Sequence, residues 1–223
     1  MINFKGKHFS KDIILMAIRW YCTYALSYRE IEELMLERGI KIDHTTLNRW
    51  VVEFSPLLLT EFRKKKRAIG KSWHVDETYI KLKGKWGYQY RALDHQGNTI
   101  DCLFSEKRNK KSAMKFFKKC MKNSGNPLMI NLDKNPANNA ALKSFNETLK
   151  NKITVRNKTY LNNIIEQDHR FIKKLTRPTK GFKSFYSAST TLKGIELCHM
   201  IKKGQLKYHA SKPTFAQFYA LAA

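Results

Sequence analysis

The chain has 223 residues, 42% of them apolar, enough for one large domain or two small ones with a true hydrophobic core. Its 43 Lys and Arg against 18 Asp and Glu leave a formal charge of +25, which points to a polyanion as partner. No stretch approaches the roughly 18 apolar residues of a membrane span, Met1 to Lys11 lacks a secretory pattern, and four scattered cysteines form no zinc spacing, so a reduced, cytoplasmic protein without a membrane partner is expected.

The charge is uneven. Residues 1–70 hold 13 basic and 8 acidic groups, residues 71–150 hold 16 and 7, and residues 151–223 hold 14 and 3. Lys11 to Tyr24 sets Ile13, Ile14, Ala17, Ile18 and Tyr21 at helical spacing. Ser27-Tyr28-Arg29-Glu30 opens a second helix as a capping box, with Ile31, Leu34 and Met35 on its inner side. Arg38-Gly39 closes it, and Asp43 caps a third, with Leu47, Trp50, Val51 and Phe54 inward and Thr45, Thr46, Asn48 and Arg49 outward. Two short helices joined by a Gly-containing turn, the second presenting small polar groups and an Arg, match a helix-turn-helix that reads a DNA major groove; a plain three-helix packing unit is the alternative. Pro56 and the run Arg63 to Arg67 mark a boundary, giving a small all-α domain over 1–68 that ends in a basic linker.

From Ser72 the pattern becomes that of strands. Trp73 to Leu82, Trp86 to Leu93 and Thr99 to Phe104 form an antiparallel meander with turns at Lys83-Gly84-Lys85 and Asp94 to Asn98. Their aromatics Trp73, Trp86, Tyr88 and Tyr90 are assigned to the core rather than to base stacking. A helix over 109–123 buries Ala113, Phe116, Phe117, Cys120 and Met121, and Leu128 to Leu132 is a short apolar strand of the kind covered on both faces. Helix, strand (Ile153 to Arg156) and two helices (Leu161 to Leu175, Ser187 to Lys203) follow. The order predicts an α/β core, a mixed five-stranded sheet flanked by helices, over 69–204, with a tail over 205–223.

Three acids stand out in apolar surroundings. Asp76 lies inside the first strand, where a charge needs a partner or a metal. Asp133 follows the apolar strand at its C-terminal end, where open α/β sheets place ligands. Glu166 shares a helix stripe with Asn162, His169, Arg170 and Lys173, which would hold a phosphodiester strand against it; a salt-bridged surface stripe is the plainer alternative. Three converging carboxylates suit two Mg²⁺ ions about 4 Å apart, Mn²⁺ substituting, in phosphodiester chemistry. Alternation turns Glu77 to the opposite face as an ion-pair partner, and Asp168 is expected to pair with a Lys or Arg.

The segments Ser27 to Ile31, His44 to Val51, Val75-Asp76-Glu77-Thr78-Tyr79, Asp133-Lys134-Asn135-Pro136-Ala137, Tyr160 to Asn163, Ile165 to Arg170 and Gly194-Ile195-Glu196 together resemble the bacterial insertion-sequence transposases of the DDE class, in the cointegrate-forming insertion-sequence-six family. Asn135 departs from the small apolar residue usual at its position. The resemblance implies a ribonuclease-H-like catalytic core with Asp76, Asp133 and Glu166 as the triad. It also implies that Lys173 contacts the transposon end and that the helix-turn-helix binds terminal inverted repeats. A nucleoid-associated enzyme that cleaves 3′ ends and joins them to target DNA, as a homodimer or larger assembly, is the expectation. A catalytically inactive DNA-binding repressor or architectural protein, or a non-joining nuclease on the same fold, remains the alternative.

Overall fold

The computed structural model describes residues 2–207 and 211–222; within the expected tail, residues 208–210 and 223 lie outside the described residues. Its contacts divide into two compact units, one of residues 1–67 and 172–223 and the other of residues 68–171.

The first unit is helical. Helix α1 (Lys11–Thr23) is capped by the Ser10 hydroxyl, α2 (Tyr28–Leu36) by the Ser27–Glu30 capping box, and α3 (His44–Lys64) by Asp43, whose carboxylate accepts from the Thr45 and Thr46 N–H groups. Gly39, at φ 71, ends α2 in the left-handed conformation. The third helix does not stop at Pro56, as its sequence suggested. It continues to Lys64 because Leu58, Leu59 and Phe62 extend the buried stripe of Leu47, Val51 and Phe54, and that burial outweighs one missing backbone bond. Nor is the basic run a free linker. Arg63 and Lys64 form the last turn of α3, and beyond them the Arg67 N–H donates to the Gln205 carbonyl (2.8 Å) and the Lys207 N–H to that of Lys65 (2.9 Å).

The same unit contains α7 (Phe185–Lys202) and α8 (Thr214–Tyr219); the remaining α-helices, α4 to α6, are placed below. The expected core over 69–204 had grouped α7 with the sheet. Instead α7, buried almost all round from Ala188 to Ile201, packs on α3 and α1. Gly194 makes this possible: a Cβ there would lie 2.5 Å from Ser55 Oγ and 2.7 Å from Cys22 Sγ. All four cysteines are buried and free. Among the described residues, no helix is long and apolar enough to cross a membrane.

The second unit is the sheet. Strands β1 (Ser72–Leu82), β2 (Lys85–Asp94) and β3 (Thr99–Ser105) form the antiparallel meander, while β4 (Met129–Leu132) and β5 (Thr154–Arg156) add in parallel beside β1, giving the order β3-β2-β1-β4-β5. Three antiparallel strands followed by two parallel ones is the mixed five-stranded sheet that the order of elements predicts and the ribonuclease-H-like arrangement that the resemblance implies. Helices α4 (Lys110–Ser124) and α5 (Pro136–Glu147) pack together, and the core joins Phe116, Phe117 and Cys120 of α4 and Ala141 and Leu142 of α5 to Val75, Tyr90, Ile130 and Leu132 of the sheet. Trp73 and Tyr90 lie in that core as expected, but Trp86 does not. It sits beside the β1–β2 turn, beyond the part of the sheet that the core cluster covers, and is 60% exposed. A 3-10 turn (Thr159–Asn162) leads into α6 (Asn163–Thr176), which runs across the division between the units.

Candidate active site

The register of β1 sets the site. Val75 is the last residue of β1 paired with β4, opposite Leu132, so from Asp76 onward β1 has no strand on that side and Asp133 follows directly beyond it. Carboxylate oxygens of Asp76, Glu77 and Asp133 lie within 4.8 Å of one another. Glu77 therefore reaches the same space as Asp76 although alternation sends it to the other face, because no β4 residue stands in between.

Burial raises the pKa of Asp76 to about 7, and the negative charges of Glu77, Asp133 and Glu166 push in the same direction. Glu77 is likewise raised, first by burial. Its side chain is 1% exposed and fully engaged: Asn138 Nδ2 (2.8 Å) and Asn135 Nδ2 (3.2 Å) donate to Oε1, and Arg108 Nη2 (3.1 Å) donates to Oε2. The same Arg108 nitrogen lies 3.3 Å from Asp133 Oδ2.

Asparagines hold the frame. Asn135 caps α5 by accepting from the Ala137 N–H (3.0 Å), with Pro136 in the first turn, and the Asn135 N–H donates to Asp133 Oδ1 (3.2 Å). The departure at Asn135 thus supplies a cap and a donor to Glu77. Asn139 Nδ2 donates to the carbonyls of Asp133 and Asn135. Behind the site, Asn131 Nδ2 donates to Asn162 Oδ1 (2.6 Å) and to the Lys158 carbonyl.

Helix α6 brings Glu166 in its exposed first turn. Glu166 stands outside the tight group of three, yet its charge contributes to the raised pKa of Asp76. Asp168 pairs with a cation, as expected of it, and the partner is the fully buried Arg91 of β2 (2.6 Å). This pair ties α6 to the strand residue directly opposite Asp76.

The expected basic stripe divides. Asn162 is 2% exposed and His169 is buried, its Nδ1 3.7 Å from Asp76 Oδ2, so neither belongs to an outer DNA-facing row. The reason is local: Asn162 lies in the 3-10 turn, where side chains do not follow the α-helical stripe counted back from Glu166. Arg170 is exposed and Lys173 half-exposed. On α3, Thr45 and Arg49 are exposed and Thr46 and Asn48 half-buried; the Thr45 hydroxyl bonds Asp43, and Arg49 Nη2 donates to Thr46 Oγ1 (3.3 Å). Sequence reasoning missed Arg108 and the Asn135–Asn138 support of Glu77. The Asn-rich run after Asp133 was the available signal.

Hard carboxylate oxygens backed by amide donors are the donor set a divalent cation prefers, so the residues present fit the metal that this fold implies. Carboxylates gathered at this end of a ribonuclease-H-like sheet define the DDE class of polynucleotidyl transferases. A family model described as a DDE domain, of IS240-type transposases, matches residues 70–205. The transposase for insertion sequence-like element IS431mec of Staphylococcus aureus is 41% identical over 204 residues, covering 91% of this chain and 90% of that protein. The transposase for insertion sequence element IS257 in transposon Tn4003, also of Staphylococcus aureus, matches with the same identity and coverage. Among solved structures, the catalytic core domain of BIV integrase aligns with a TM-score of 0.44 at 13% identity, over 69% of this chain and 95% of that one. The chain belongs to the insertion-sequence-six family of DDE transposases.

Proposed function

We propose that this transposase binds the terminal inverted repeats of its element, exposes 3′ ends by metal-dependent cleavage and joins them to target DNA, with Asp76, Asp133 and Glu166 as its catalytic acids. The observation that carries the reading is the close approach of Asp76 and Asp133 beyond the end of β4, where burial and neighbouring negative charges raise the pKa of Asp76 to about 7, an unfavourable charge that a bound divalent cation would relieve. Asp76, Asp133 and Glu166 would hold two Mg²⁺ ions, or Mn²⁺ in their place, which when bound activate the attacking oxygen and stabilise the leaving one.

The chain's own residues do the rest. Glu77, held by three donors, anchors Arg108 and leaves a guanidinium at the rim where a phosphodiester oxygen would lie. His169 backs Asp76, and the Arg91–Asp168 pair fixes the helix that bears Glu166. Arg170 and Lys173 would guide the DNA backbone. Thr45, Thr46, Asn48 and Arg49 would read the inverted repeat from the major groove. Bringing two ends together calls for a homodimer or larger assembly, working on the nucleoid in the cytoplasm.

The test is a strand-transfer assay with Mg²⁺ on wild type, Asp76→Asn and Glu166→Gln. Both variants are expected to lose joining by at least about a hundred-fold, roughly 3 kcal/mol of barrier, while still binding an inverted-repeat duplex. Joining at the wild-type rate by either variant would sink its assignment.

A further inference from the structure

The β1–β2 hairpin carries a cluster of three rings at the margin of the core: Tyr79 and Trp86 are exposed, and Tyr88 is half-buried against the core. Tyr79 is 48% exposed; its ring meets Trp86 edge-on with centroids 6.0 Å apart and Tyr88 at 5.5 Å. The register pairs Tyr79 with Tyr88, Lys81 with Trp86 and Glu77 with Tyr90, so the three rings share the sheet face of Glu77. Along β1, Tyr79 is two residues from Glu77, about 7 Å. The shelf therefore begins where the acidic cluster ends.

The support is rigid. Lys83 at φ 48 and Gly84 at φ 76 give the two-residue turn the left-handed pair that a tight type I′ hairpin requires. Lys81, Lys83 and Lys85 are exposed around the rings, and no acid occurs between Glu77 and Asp94. An aromatic surface ringed by cations fits a partner with flat π faces and negative charge. Two such hairpins meeting across a contact between copies would set like charges together. Bases inside a duplex present no free face, whereas unpaired bases do.

We propose that the Tyr79–Trp86–Tyr88 shelf stacks unpaired bases of the DNA strand processed at the neighbouring carboxylates, with Lys81, Lys83 and Lys85 on its phosphates. The inference rests on the DNA-processing reading above and adds the state of the DNA: strands opened beside the scissile bond.

The experiment measures fluorescence anisotropy of the full-length protein with a labelled duplex of the element's end and with the same duplex carrying a short unpaired bubble, at one fixed salt concentration. Wild type is expected to prefer the bubble. Trp86→Ala should weaken bubble binding roughly ten-fold and leave duplex binding and melting temperature unchanged, while Trp86→Phe keeps most of the preference. Equal binding of both DNAs by wild type, or an equal effect of Trp86→Ala on both, overturns the shelf but not the DNA reading. A change in oligomeric mass of Trp86→Ala with an intact bubble preference also overturns it, making the rings a contact between copies. Binding of neither DNA by wild type removes the DNA reading and the shelf together.

Discussion

The helical unit and the sheet unit bury different chemistry. Among the described residues, the helical unit encloses mostly hydrocarbon: Ile14, Ile18, Phe54, Leu58 and Phe62 around α7, with Glu196 as its one buried acid. Many of its polar bonds lie at helix ends, as caps, with the pair of Lys7 and Glu53 of α3 among the exceptions. The sheet unit buries Glu77, Arg91, Asp94 and Asp101, along with Asn131, Asn135, Asn138 and Asn162. A charge in an interior is retained at a cost in solvation, so it is found where geometry matters more than stability. Glu77, Arg91 and the asparagines lie on or behind the acidic cluster, whereas Asp94 holds the β2–β3 turn through Gly70 and Asn98, and Asp101 pairs with Lys119 and Asn123 of α4. The helical unit can be read as a packing solution, the sheet unit as a packing solution bent around a site.

The sharpest way to break that comparison is to strand one of the buried charges. Asp168→Ala leaves the Arg91 guanidinium, fully buried on β2, without its 2.6 Å carboxylate. A loss of about 3–5 kcal/mol is expected from urea denaturation, as for other broken buried pairs. The double replacement Arg91→Met with Asp168→Leu should recover much of that stability. Strand transfer should stay low in the double variant, because the pair's role is to hold α6 and Glu166 rather than to add net stability. Full activity in a restabilised double variant would show the pair to be dispensable scaffolding.

A smaller effect probes the helical unit on its own terms. Gly194→Ala sets a methyl 2.5 Å from Ser55 Oγ and 2.7 Å from Cys22 Sγ, in a region where α7 has no freedom to withdraw. Overpacking of this kind destabilises by about 1–3 kcal/mol. Adding Ser55→Ala removes the nearest atom and should return part of the loss in melting temperature. A Gly194→Ala protein as stable as wild type would mean that α7 is less tightly held than its burial indicates.

These effects also separate what the sequence made legible from what it did not. The meander could be read because its runs of aromatic and β-branched residues are broken only at turns, and α4 because Phe116, Phe117 and Cys120 lie on one stripe. The caps at Ser27 and Asp43 could be read from their own side chains, that at Ser27 together with Glu30. Helix α7 falls within the matched DDE-domain span, yet by contact it packs in the helical unit, and its sequence did not show this because its polar residues are spread round the helix and leave no single apolar face. At the site, Asp76 and Asp133 stood out as acids at strand positions, but Arg108 was one cation among 43 Lys and Arg, and nothing in its spacing distinguishes it. Asn162 was placed on the outside by counting helical turns back into a segment that is a 3-10 turn, while His169, inside α6, turns inward toward Asp76. Trp86 was placed inside because strand aromatics are usually covered, whereas here the hairpin outruns its cover.

The smallest predicted effect tests whether polar groups in the helical unit serve only as caps. Ser27 Oγ accepts from the Glu30 N–H at 3.2 Å while the Glu30 carboxylate accepts from the Ser27 N–H, and these two bonds also hold the Glu30 pKa below its ordinary value. Ser27→Ala removes one of them and should destabilise by about 1 kcal/mol, read as a small drop in urea midpoint with an unchanged slope. Because α2 orients α3 through the bonds from the His44 N–H and Nδ1 to Glu32, any loosening of α2 should appear as weaker inverted-repeat binding before it appears in the joining step. A Ser27→Ala protein that binds the repeat normally but joins ends poorly would contradict this division, since it would make a helix cap in the packing unit act on the chemistry of the sheet unit.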